Sequence, residues 1–286
     1  MAQAAHIDQA AFHLLEVISR DLSRRPLAIP TFVDASLGVR MALARKELST
    51  AELARVVSGE PLLSARVVAL ANSVAMNPGG RQITDVRSAV TRIGQNAVRN
   101  LSAALALEQV SHASELAPFR VQAQAIWAHS LEVAVNAKVL AHRLGRVNPE
   151  EAMFAGLVHD LGHLYLMGRV AATPELAQHP ESLDALADEW HPGVGAALLQ
   201  SMDLSEAIAR AVDEHELDPA ILPAGSLSQL LSVANRCARR PPEAEASAAA
   251  AADPALPDGA VDEHSARAVL AESGHAISAL LTALRG

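Results

Sequence analysis

The chain has 286 residues, of which half are hydrophobic and only 2% are aromatic, a composition that favours helices over sheets. The formal net charge of −9 argues against a general nucleic-acid binder, because such proteins carry a basic face. Cys237 is the single cysteine, so an internal disulfide is excluded. With no signal-like N-terminus and no apolar run of about 18 residues, we expect a cytoplasmic protein with no membrane partner.

Helical periodicity recurs through the first 112 residues. Ser49 and Asp85 are typical N-caps, Pro61 suits a first helical position, and Gly94 is expected to interrupt a helix. The predicted helices cover residues 10–22 and 31–44, begin at Ser49 and at Pro61, and cover residues 86–93 and 96–110.

The second half is also predicted to be helical. Its central stretch, residues 152–164, follows an N-cap at Asn148 and is expected to end at Gly162. Residues 241–262 are rich in Ala, Pro and acidic residues, which predicts a disordered loop. The other predicted helices cover residues 121–144, 184–190, 194–201, 205–214, 227–238 and 265–284.

The adjacent pair His159 and Asp160 is the first candidate for chemistry. An imidazole beside a carboxylate offers a divalent metal one nitrogen and one oxygen ligand from a single helix. His129 lies on the buried apolar stripe of the helix predicted over residues 121–144. The simpler alternatives are a core histidine at position 129 and, at the pair, a helix-end histidine next to a solvated aspartate.

Several short stretches of the first half resemble the HDOD family of bacterial signalling proteins, which is related to the HD-type metal phosphohydrolases. They include Glu60-Pro61-Leu62-Leu63, Leu70-Ala71-Asn72-Ser73 and Ile83-Thr84-Asp85-Val86. Glu60 departs from the family pattern, which usually has Asp before the Pro. The resemblance implies an all-α fold, with an N-terminal helical subdomain over residues 1–112 packed on an HD-like helical bundle over residues 113–286.

The same resemblance implies a metal site. His129, His159 and Asp160 match the first ligand positions of HD phosphohydrolases, and His191 and His215 resemble the extra histidines of their binuclear members. The ion implied is divalent Fe, Mn or Zn. Asn235 stands where the last aspartate is expected, and its neutral amide oxygen is a weaker ligand than a carboxylate. His163 occupies a place where some HD enzymes carry a lysine, and no catalytic role is assigned to it.

These features favour a non-catalytic signalling module that acts through protein–protein contacts, with no catalytic residue assigned. The alternative is a metal-dependent phosphohydrolase acting on a nucleotide or a cyclic dinucleotide, with metals that activate water and clamp phosphate. A third possibility is a structural metal site that binds an ion but does not turn over a substrate. No basic cluster that would hold a phosphate is recognisable near His159 and Asp160.

Overall fold

The computed structural model describes residues 12–14, 16–18, 20, 49–239 and 262–285, except for residues 60, 74, 75, 78, 79, 145, 178–180, 203 and 224. The predicted all-α class is confirmed, and this part of the chain contains no strand. Short 3₁₀ helices cover Ser114–Phe119 and Pro219–Ile221. The α-helices are α1 (Thr50–Ser58), α2 (Pro61–Asn72), α3 (Val86–Ser111), α4 (Arg120–Leu144), α5 (Pro149–Val158), α6 (Leu161–Ala171), α7 (Pro174–Ala177), α8 (Glu181–Ser201), α9 (Glu206–Glu214), α10 (Leu227–Ala238), α11 (Glu263–Glu272) and α12 (Gly274–Arg285).

Local capping chemistry starts several of these helices where it was predicted. Ser49 and Glu52 form a capping box ahead of α1, and the Asp85 carboxylate accepts a hydrogen bond from the Ser88 N–H at 2.8 Å. The Asn148 side chain accepts from the Glu150 N–H at 2.9 Å. Gly94 interrupts α3 with a φ of 80°, a backbone conformation that side chains with a Cβ rarely adopt. These short-range signals satisfy N–H groups that the first helical turn leaves without partners.

A continuous apolar core runs through both halves of the described chain. Leu101 of α3, Leu131 of α4 and Leu157 of α5 are all fully buried members of it. Gly156 lets α5 cross α4 at close range, since a Cβ there would lie 2.5 Å from the Ala134 Cα. The division into two domains at residue 112 stays a prediction.

The central helix differs from its prediction. The helix α5 ends at Val158, His159 and Asp160 form a turn, and α6 begins at Leu161. Gly162 therefore lies inside α6 and does not end a helix. Its lack of a side chain serves packing, because a Cβ at Gly162 would lie 2.8 Å from the His191 carbonyl carbon of α8.

Three other boundaries differ from the sequence predictions. The helix α8 continues through Pro192, where a break was expected, because its packing against α6 and α9 outweighs the local preference. The last predicted helix is two helices, α11 and α12, which meet at Ser273. Ser205 precedes α9 without a capping hydrogen bond from its side chain.

The remaining predictions fall partly outside the described residues. The helix predicted over residues 31–44 lies outside them, and so does most of the loop that was predicted over residues 241–262. Its last residue, Asp262, is described and caps α11. Residues 12–14, 16–18 and 20 of the leading helix are helical. Within the described part, no helix combines the length and the apolar character needed to cross a membrane.

Candidate metal centre

Five side chains predicted as ligands converge where α4, α5, α6, α8 and α9 pack together. His129 comes from α4, His159 and Asp160 from the turn between α5 and α6, His191 from α8, and His215 from the residue after α9. Their ligand atoms form two groups of three that share Asp160: His129, His159 and Asp160, and then Asp160, His191 and His215. The structure thus brings all five together, and their role as metal ligands stays a prediction.

The first group surrounds Oδ2 of Asp160. His159 Nε2 lies 3.2 Å from this oxygen and His129 Nε2 lies 4.0 Å from it. Asn235 completes the group from α10, with its Oδ1 2.8 Å from His129 Nε2. The asparagine therefore occupies the space where a carboxylate was expected, and it presents an uncharged oxygen there.

The second group surrounds Oδ1 of Asp160. This oxygen lies 3.6 Å from His191 Nε2 and 3.7 Å from His215 Nε2. The two imidazole nitrogens are 3.2 Å apart. A single ion between these three atoms would contact a carboxylate oxygen and two imidazoles, a ligand set that suits a divalent transition metal.

Backbone carbonyls orient three of the imidazoles. The Nδ1 atoms of His159, His191 and His215 lie 2.6 to 2.8 Å from the carbonyl oxygens of Gly156, Ala187 and Val212. A carbonyl oxygen only accepts, so each Nδ1 carries a proton and directs Nε2 at Asp160. Metal-bound histidines in proteins are held in this way by the nitrogen that does not bind the ion.

Two buried atoms of the centre fit a bound cation. His159 Nε2 and Asp160 Oδ1 have no hydrogen-bond partner among the described residues. Leaving a buried polar atom without a partner costs about 1–3 kcal/mol, a cost that a bound metal would remove. Burial alone raises the pKa of Asp160, yet the facing imidazoles of His159 and His215 hold that pKa well below its usual range. The carboxylate is therefore ionised and available as a ligand.

The histidines differ in their protonation. Burial lowers the pKa of His129 and of His191, and it lowers the pKa of His163 to about 4. Burial acts in the same direction on His215, but its contacts with Asp160 and Glu216 raise its pKa to about 9. A metal that binds His215 must therefore displace a proton.

His163 lies next to the centre without being a member of either group. Its ring stacks on the ring of His191 with centroids 3.8 Å apart, and its Nε2 lies 3.9 Å from Asp160 Oδ1. The stack helps to fix the His191 ring. That His163 has no catalytic role stays a prediction.

Two charged residues that lie at the centre, Glu216 and Arg239, were not identified from the sequence. Glu216 Oε1 lies 3.3 Å from His215 Nε2 and 3.8 Å from His191 Nε2. Arg239 pairs with both carboxylate oxygens of Glu216 and places one half-exposed cation beside the centre. The available signals were the position of Glu216 directly after His215 and the four-residue spacing from Asn235 to Arg239.

Comparisons with known proteins agree with this fold. The family model described as HDOD domain matches residues 29–217. A solved structure from Shewanella amazonensis, described as a candidate metal-dependent phosphohydrolase, is 21% identical with a TM-score of 0.72, over 99% of this chain and 100% of that one. An HDOD domain protein of unknown function from Geobacter sulfurreducens is 22% identical with a TM-score of 0.63, over 97% and 98% of the two chains.

A third solved structure, described as a candidate signal transduction protein from Marinobacter aquaeolei, is 20% identical with a TM-score of 0.55. It is matched over 97% of this chain and 66% of its own length. At these identities the structures establish the fold alone, and no curated protein matches the sequence. The family match spans well over half of the chain, and the chain belongs to the HDOD domain family.

Proposed function

We propose that this HDOD protein is a signalling module that acts through contacts with protein partners and does not hydrolyse phosphate esters. The observation that carries the proposal is the amide of Asn235, whose oxygen faces His129 at 2.8 Å in the first ligand group. Family membership supports the signalling role, as does the description of the Marinobacter aquaeolei protein as a candidate signal transduction protein.

The charge of the first group is the physical reason for expecting no turnover. Its two imidazoles and the Asn235 amide are neutral when they bind a metal, so Asp160 is its only anionic ligand. That carboxylate is shared with the second group. A two-metal phosphohydrolase needs both ions fixed at once, so that they clamp the attacking and leaving oxygens. Within the first group, one negative charge that is shared with the second group is a poor counterweight for a divalent ion in a buried site.

The test is a turnover assay on the full chain with Mn²⁺ or Fe²⁺. We expect no hydrolysis of cyclic dinucleotides or of nucleotide phosphate esters at ordinary enzyme concentrations. Hydrolysis that disappears in both His159→Ala and Asp160→Ala would overturn the proposal. For the signalling role, cross-linking in the source cells should capture the same signalling protein with wild type and with His159→Ala, because the His159 side chain is fully buried and cannot contact a partner.

A metal-dependent phosphohydrolase is the second candidate. The convergence of all five predicted ligands favours it, as does Arg239, whose half-exposed guanidinium lies beside the centre. Bound metals would supply an activated water and charge stabilisation of the phosphate. Arg239 would then orient a phosphate oxygen by exchanging its contact with Glu216. Under this candidate Arg239→Ala would lower turnover even at metal concentrations that saturate the centre.

A further inference from the structure

The carboxylate of Glu216 is placed as a ligand in the second group. We propose that Glu216 is the fourth ligand of a divalent metal held by Asp160, His191 and His215, and that this ion is the more tightly bound one. The inference goes beyond the signalling proposal and holds whether or not the centre turns over a substrate.

The distances support four-coordinate binding. Bonds of about 2.0–2.1 Å in a tetrahedral site place neighbouring ligand atoms about 3.4 Å apart. Glu216 Oε1 lies 3.3 Å from His215 Nε2 and 3.8 Å from His191 Nε2. The two histidine nitrogens lie 3.2 Å apart. Asp160 Oδ1 lies 3.6 Å from His191 Nε2 and 3.7 Å from His215 Nε2. These five separations are close to those between ligand atoms of a tetrahedral site.

Asn235 and Glu216 are matched to each other. The Asn235 Nδ2 donates a hydrogen bond to Glu216 Oε1 at 3.1 Å, while its Oδ1 faces His129. If the amide were flipped, its Oδ1 would face the Glu216 carboxylate and repel it. The contacts therefore identify the orientation in which Nδ2 faces Glu216. An aspartate at position 235 could not donate this hydrogen bond and would repel Glu216. The negative charge absent from position 235 is thus present 19 residues earlier, on a carboxylate that accepts a hydrogen bond from Asn235.

Arg239 holds the Glu216 carboxylate in this position. It contacts both oxygens, with Nη1 2.9 Å from Oε2 and Nη2 against Oε1. Carboxylates that bind metals commonly accept hydrogen bonds from a further group that orients them. The second group would have two anionic ligands, Asp160 and Glu216, although Arg239 offsets part of the Glu216 charge, whereas the first group has only the shared Asp160. This difference in charge is why the second group should bind the first ion.

The test measures zinc binding to the full chain by competition with a chromogenic chelator, with elemental analysis for stoichiometry. Glu216→Gln should weaken the tight zinc ion by roughly 10–100-fold or more. The matched control is Glu206→Gln, the same loss of charge at an exposed α9 residue that pairs with Arg210, and its affinity should equal that of wild type. In the Co²⁺-loaded protein, the strong visible bands of tetrahedral cobalt should weaken in Glu216→Gln.

Two further variants locate the ion and test the matched pair. His191→Ala should remove the tight ion, whereas His129→Ala should leave it in place, and the reverse order would overturn the assignment to the second group. Asn235→Asp added to Glu216→Gln should recover affinity, because it returns one carboxylate to the centre. Unchanged zinc affinity in Glu216→Gln would refute the proposal. Glu216→Asp keeps the charge, but its side chain is one methylene shorter and moves the carboxylate away from the ion. Unchanged zinc affinity in that variant would refute direct ligation even if Glu216→Gln failed to fold.

Discussion

Gly162→Ala is the sharpest single test of how the fold positions the candidate metal centre. The added Cβ would lie 2.8 Å from the His191 carbonyl carbon, 2.9 Å from the Gly195 N, and in contact with the His191 carbonyl oxygen. All three are backbone atoms of α8, so no side-chain rotation relieves the contact. The two helices must separate by about one ångström to relieve the contact with the His191 carbonyl oxygen, and overpacking of this kind costs about 1–3 kcal/mol.

The displacement should affect stability and metal binding together. For a chain of this size a loss of about 1–3 kcal/mol lowers the Tm by roughly 3–10 °C. A shift of about one ångström at His191 exceeds the tolerance of about 0.2 Å that metal–ligand bonds allow, so zinc affinity should fall as well. Differential scanning calorimetry and chelator competition measure the two effects.

Gly193→Ala on the same helix is the matched control. Its Cβ would meet only the Asp213 carboxylate at 3.6 Å, an ordinary contact. Alanine inside a helix is more stable than glycine by about 0.5–1 kcal/mol, so the Tm should hold or rise. If Gly162→Ala matched this control in both Tm and zinc affinity, the close backbone approach of α6 and α8 would be refuted.

Three further outcomes are expected. Zinc at a hundred times its Kd should stabilise the fold by about 2.7 kcal/mol and raise the Tm by roughly 5–10 °C; a chelator should reverse the shift, and an unchanged Tm would contradict specific binding. In metal-free protein the raised pKa of His215, about 9, contributes stability that is complete below about pH 6.5 and is lost as the pH rises through 9. Urea midpoints at pH 6.5 and 9.5 should show this decline in wild type and a smaller one in His215→Gln. Burial raises the pKa of the Cys237 thiol to about 11, so iodoacetamide at pH 8 should react on the order of a hundredfold more slowly than with a free cysteine, and labelling at the free-thiol rate would contradict that burial.

The helix starts were predictable because their causes are local. The caps at Ser49, Asp85 and Asn148 each act within three residues of the chain. Gly162 and Pro192 were misjudged for the opposite reason: a glycine and a proline are local breakers, whereas here both lie inside helices. The contact between α6 and α8 decides their conformation, and that contact joins parts of the chain that no short sequence window includes.

The site was predictable in its histidines and in Asp160, whose residue types and order resemble a known family. Glu216 and Arg239 were missed because they follow no recognised pattern and look like ordinary surface charges. Their role depends on the folded arrangement, in which Arg239 follows α10 and turns its guanidinium to the carboxylate beside His215. The residue types at single positions therefore identified the candidate ligands, but they did not identify Glu216 and Arg239, whose charges lie beside those ligands only in the folded protein.

Asn235 has a different meaning once Glu216 is considered with it. Taken alone, the asparagine is a lost ligand, and Asn235→Asp should simply strengthen metal binding. The hydrogen bond from its Nδ2 to Glu216 shows a second role, because the asparagine supports the Glu216 carboxylate. An aspartate at position 235 would instead place two negative charges about 3 Å apart. The gain at the first group would then be offset by a loss at the second. Comparing Asn235→Asp with and without Glu216→Gln separates these cases, because only a lost ligand predicts the same gain in zinc affinity in both backgrounds.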